Sequence, residues 1–120
     1  MFKTIDETLL ENRLKTVYEI VYSYWFLFDK YILPPVIHVY THRLVMENAV
    51  PDLWRDWIWT GMGPYSSSLG YDLLKLKQLG LITETCIGSS LRLCGLITLP
   101  KNPVKPRNLY ITSISSVSNN

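Results

Sequence analysis

At 120 residues, 48% of them hydrophobic and 18% charged, the chain has the length of one domain and too much apolar content for a disordered tail. Its net charge of +2 names no partner class, but residues 1–63 hold six Lys/Arg against eight Asp/Glu, and residues 64–120 hold six against two. The surplus positive charge therefore belongs to the second half. No secretory leader pattern opens the sequence, and two cysteines fit a cytoplasmic protein with reduced thiols.

The first apolar run, VYEIVYSYWFLF from Val17 to Phe28, is interrupted by Glu19 and closed by Asp29-Lys30. It falls short of the ~20 apolar residues that a membrane span requires, so no membrane partner is expected. Leu10, Leu14, Val17, Val21, Tyr24 or Trp25, Phe28 and Tyr31 recur at intervals of three and four, which predicts an amphipathic helix over residues 5–32. Its polar side is thin beyond Tyr18. A second copy of the chain is the expected cover, giving a homodimer seam at Val17, Val21, Tyr24, Trp25 and Phe28.

Pro34-Pro35 stops that helix, and Val36, Ile37, Tyr40, Leu44 and Val45 mark a second one over residues 36–49. Val50-Pro51-Asp52 has the chemistry of a helix start, predicting a short third helix with Leu53, Trp54, Trp57 and Ile58 on its apolar face. Trp59 points away from that face. With Met62 and Tyr65 it forms a candidate protein-binding group of exposed aromatic and sulfur side chains. Thr60-Gly61-Met62-Gly63-Pro64 breaks the segment.

Ser66 or Ser67 can cap the next helix, in which Leu69, Leu73 and Leu76 line one side and Ser67, Tyr71, Lys75 and Gln78 the other. Gly80 follows the last periodic residue, where a left-handed stop is expected. Leu81–Cys86 and Leu91–Leu99 then read as a hairpin. Cys86 and Cys94 oppose one another if its loop is Ser89-Ser90-Leu91, but lie on opposite faces if the loop is Gly88-Ser89; only the first register admits a disulfide. Residues 100–120 form a basic, Pro-rich and then Ser/Asn-rich tail, its last ~10 residues disordered in expectation.

Catalytic chemistry finds little support. His38 and His42 in HVYTH share a helix face, but the Glu of the zinc-protease pattern is absent and neither cysteine has a CxxC neighbour. GMGPYS lacks the lysine of a phosphate loop, and no nucleophile triad can be assembled. The expectation is a protein without enzymatic activity, cofactor or metal.

The order of helices, Gly stop and hairpin resembles the winged helix-turn-helix domain of bacterial and archaeal transcription regulators, over about residues 36–99. SSLGYDLLKLKQLGLITE carries the resemblance: Leu69, Leu73 and Leu76 stand eleven, seven and four positions before Gly80-Leu81-Ile82. It implies a mainly α fold with a small β-hairpin, a single winged-helix domain over residues 1–99 with an added N-terminal helix. The implied function is that of a small regulator on double-stranded DNA. Ser67, Ser68 and Tyr71 would face base edges, with Lys75 reaching phosphate or a base further along. Arg92 at the hairpin tip would meet backbone or minor groove, and Lys101, Lys105 and Arg107 would neutralise phosphates. The alternative on the same scaffold is a protein-interaction or inhibitor module anchored by Trp59, Met62 and Tyr65. Small size without an effector domain suits a virus, plasmid or other mobile element in either case.

Overall fold

The computed structural model describes residues 5–110, with side chains from Asn12 onward. Two helices in succession, α1 (Ile5–Leu27) and α2 (Pro34–Met46), are followed by an antiparallel hairpin of β1 (Trp57–Thr60) with β2 (Gly63–Ser66), a third helix, α3 (Ser67–Gln78), and a second hairpin of β3 (Thr83–Ile87) with β4 (Leu93–Thr98). The result is an α/β domain. None of its described helices is long and apolar enough to cross a membrane.

The stripe on α1 is real but ends earlier than residue 32. Asp29 Oδ1 accepts the Tyr31 amide at 3.2 Å, and Ile32 then runs extended beside Ile97, each amide donating to the other's carbonyl at 2.8 and 2.7 Å. Leu14, Val17, Ile20 and Val21 are buried in a core shared with Ile37, Leu44, Leu69 and Leu76. Val17 and Val21 are thus corrected from dimer seam to interior, Tyr24 and Trp25 are half-buried, and of the five only Phe28 is exposed.

The cover over α1's thin polar side is the chain's own tail. Tyr18 Oη donates to the Val104 carbonyl, the Tyr110 amide to Ser23 Oγ at 2.8 Å, and Tyr40 Oη to the Tyr110 carbonyl at 2.6 Å. Asn108 Nδ2 and Tyr110 Oη both reach the carboxylate of the buried Glu19, at 3.4 and 3.3 Å. Residues 104–110 are therefore part of the domain, whose edge was expected at residue 99. The last ~10 residues, expected to be disordered, lie outside the described residues.

The predicted third helix is a hairpin. Asp52, expected near a helix N-terminus, instead organises a loop: its Oδ1 accepts the Trp54 and Arg55 amides and Trp57 Nε1 at 3.2, 3.1 and 3.0 Å, and Arg55 turns to φ 66°. The next four residues, Trp-Ile-Trp-Thr, are aromatic and β-branched, and they extend. A hairpin thus stands between α2 and α3 where the helix-turn-helix resemblance requires a helix.

Local chemistry sets both ends of α3. Ser66 is the cap, its Oγ accepting the Leu69 amide at 3.1 Å. At the other end Gly80 sits at φ 76°, its amide donating to Lys77 while that of Leu81 reaches back to Leu76, both at 3.0 Å. This reciprocal pair is the Schellman arrangement. Leu69, Leu73 and Leu76 face the core, and Asp72 is buried beside them. Asp72 accepts from Arg13 Nη2 at 2.8 Å and Trp54 Nε1 at 2.9 Å, joining α1, the loop and α3.

In the second hairpin Ile87 faces Leu93, the register in which Cys86 and Cys94 oppose one another, and the two are disulfide-bonded. The expectation of reduced thiols is corrected accordingly. A bulge next to this pair coincides with Gly95 at φ 82°.

Candidate protein-interaction face

The placement of β2 on α2 decides what the first hairpin exposes. His38 on α2 is buried and stacks against Tyr65 at 4.3 Å between ring centroids. Its Nδ1 accepts the Ser66 amide at 3.1 Å, so that amide points away from β1. Trp57–Ser66 is consequently a non-hydrogen-bonded pair, and the alternation of an antiparallel ladder makes Ile58–Tyr65 a bonded pair and Trp59–Pro64 another non-bonded one. Pro64 then lacks its N–H on the side where no strand needs it. On β1 the backbone groups of Trp57 and Trp59 face outward, along an edge that no other described strand pairs.

The side chains above and below this edge are apolar. Trp59 is 78% exposed, Met62 72% and Ile58 59%, while Thr60 Oγ1 pins the turn by donating to the Gly63 carbonyl at 2.7 Å and accepting the Met62 amide at 3.1 Å. A groove of about 420 Å³ lies between Pro35, His38, Ile58, Met62 and Tyr65. Another of about 500 Å³ lies between Val39, His42, Met46, Trp59 and Pro64. The His42 ring meets Trp57 and Trp59 edge-on at 5.0 and 6.3 Å, which fixes both indoles on one face of the strand.

Trp59, Met62 and Tyr65, expected as exposed contact residues, are gathered on this hairpin. Ile58, assigned to a buried face, is corrected to the surface. Val39 and Met46, also exposed, were missed because their helical spacing reads as ordinary amphipathic surface; the alternating WIWT before a Gly-Met-Gly turn was the signal that could have placed Ile58.

The start of α3, expected to approach DNA bases, is occupied from within. Asp56 Oδ2 accepts both the amide and the hydroxyl of Ser68, at 2.9 and 2.8 Å, and Oδ1 accepts from Ser66 Oγ. Burial pushes this carboxyl upward, but the bonds from Ser66 and Ser68 outweigh it and hold the group below the usual aspartate value. A fixed anion thus lies where a phosphate or base acceptor would come. Ser67 and Tyr71 are exposed, and Lys75 Nζ lies 5.6 Å from the Tyr71 ring centroid. Arg92, Lys101, Lys105 and Arg107 are exposed and form no ion pair with another described residue. Among the described residues no group of three His, Cys, Asp or Glu is placed to hold a metal, and His38 commits Nδ1 to Ser66.

No protein-family model, curated protein or solved structure matches this chain.

Proposed function

We propose that the chain is a protein-interaction module, without catalytic activity, that takes its partner on the outer strand β1 and the adjoining surface of α2. The observation that supports this most is Trp59: an indole 78% exposed, on a strand with an unpaired edge, flanked by Ile58 and Met62. Aromatic anchors of this kind dominate binding energy at protein interfaces, and an unpaired edge invites strand addition. Affinity capture from the source cell with wild type, Trp59→Ala and Lys75→Ala tests it. Partners should be lost with Trp59→Ala and kept with Lys75→Ala.

A second reading, a small DNA-binding regulator on a winged-helix scaffold, is favoured by the exposed cations Arg92, Lys101, Lys105 and Arg107. It requires affinity that falls steeply with salt and weakens on removing Lys75 and Arg92. The Asp56 carboxylate at the start of α3 weighs against it.

A further inference from the structure

The outer strand is made of Trp57, Ile58, Trp59 and Thr60, with no lysine, proline or bulge of the sort that shields sheet edges from one another. Its outward backbone groups belong to Trp57 and Trp59. An antiparallel pair of such edges can satisfy both residues at once only if the strands meet with Trp57 opposite Trp59 of the other copy, which places Ile58 on the twofold axis as a non-hydrogen-bonded pair. In that register Asp56 falls opposite Thr60 and Arg55 opposite Gly61, so no like charges meet and none is buried at the centre.

We infer that the occupant of this edge is a second copy of the chain, two β1 strands joining their hairpins into one four-stranded antiparallel sheet centred on Ile58. The inference rests on the interaction-module reading and names its partner. The surface available sets a ceiling: Ile58, Trp59, Met62 and Tyr65 leave on the order of 500 Å² of side chain in water per chain, so a symmetric pair that covered all of it would bury about 1,000 Å², the lower bound for a specific interface. The dimer seam is then the hairpin edge in place of α1.

Sedimentation of the wild-type chain and Trp59→Asp, together with cysteine crosslinking of Ile58→Cys and Thr60→Cys under glutathione buffer, tests the register. The wild-type chain should sediment as a dimer at tens of micromolar, and Trp59→Asp should weaken association at least tenfold. Ile58 pairs with itself at a Cα separation of about 4.5 Å, close enough for a disulfide, so Ile58→Cys should form a covalent dimer that Thr60→Cys does not. Both positions lie at the surface or turn of the hairpin, and circular dichroism of each variant will separate misfolding from loss of pairing. A wild-type chain that stays monomeric at 100 µM, a dimer unaffected by Trp59→Asp, or equal crosslinking at positions 58 and 60 would overturn the inference. A monomer whose partner capture still depends on Trp59 would remove the second copy alone and leave the module reading standing.

Discussion

The ring of His38 accepts the amide of Ser66 at 3.1 Å, and this bond ties β2 to α2 with β1 on the outside. It exists only while Nδ1 is unprotonated. Burial holds the His38 pKa below its ordinary 6.5, with the nearby Asp56 charge opposing the shift. The unfolded chain therefore binds more protons than the folded one just below pH 6.5, and stability falls as pH falls through that window. It is complete above pH 6.5. Thermal melts between pH 5 and 7 should show this slope in the wild-type chain and a shallower one in His38→Asn, whose side-chain oxygen can accept the same amide without titrating. Parallel profiles would contradict the assignment.

Arg13 and Asp72 make a second long-range tie, 59 residues apart in sequence. Asp72 is fully buried; Arg13→Ala would leave its charge with Trp54 Nε1 alone, and such orphaned partners cost about 3–5 kcal/mol. Urea titration should show that loss for Arg13→Ala and a smaller one for Arg13→Ala combined with Asp72→Asn, since the double variant removes the stranded charge. Additive losses would indicate that the two residues act separately.

Gly80→Ala should destabilise by about 1 kcal/mol. Nothing lies within 4 Å of a Cβ built there, so the cost is that of the left-handed backbone at φ 76° and not of a clash. Denaturant melts with an unchanged slope and a lower midpoint are expected; a neutral substitution would show that the stop tolerates a side chain.

Truncation after Pro103 removes the strap over α1. Tyr18, Ser23 and Tyr40 would lose their partners in residues 104–110, and the buried Glu19 would lose Asn108 and Tyr110. The shortened chain should melt well below the full one and bind a hydrophobic dye. An unchanged melting temperature would mean that the strap contributes nothing to the fold.

Periodic and short-range features were legible in the sequence. The stripe Leu69, Leu73 and Leu76 and the Gly80 stop need only neighbours within one helix; the Cys86–Cys94 bond was not legible, because the sequence leaves open the hairpin register that decides it. The first hairpin was not legible. Val50-Pro51-Asp52 imitates a helix start, and Trp54, Trp57 and Ile58 fall at i, i+3 and i+4, a spacing that an amphipathic helix shares by coincidence with the alternation of WIWT. What decides between them is Asp52 turning its carboxylate onto three donors and Ser66 finding His38, 28 residues away, neither of which leaves a periodic trace. That Val17 and Val21 lie in the interior escaped notice for a related reason: part of the cover over α1 comes from Val104, Asn108 and Tyr110, more than 80 residues downstream. Of the candidate face, Trp59, Met62 and Tyr65 could be read because exposed aromatics beside a turn are conspicuous; the edge that joins them required the fold.

The central claim is that the β1 face, and not α3 with the tail cations, is where this protein meets its partner. Association should therefore be followed by sedimentation, and binding to random duplex DNA titrated at 50 and 200 mM salt, for the wild-type chain, Trp59→Ala and the pair Lys75→Ala with Arg92→Ala. The account predicts that Trp59→Ala costs association about 2 kcal/mol or more, roughly thirtyfold, that the cation pair leaves it unchanged, and that DNA affinity is weak in all three. Tight DNA binding that drops steeply with salt, fails on removing Lys75 and Arg92, and is indifferent to Trp59 would contradict it.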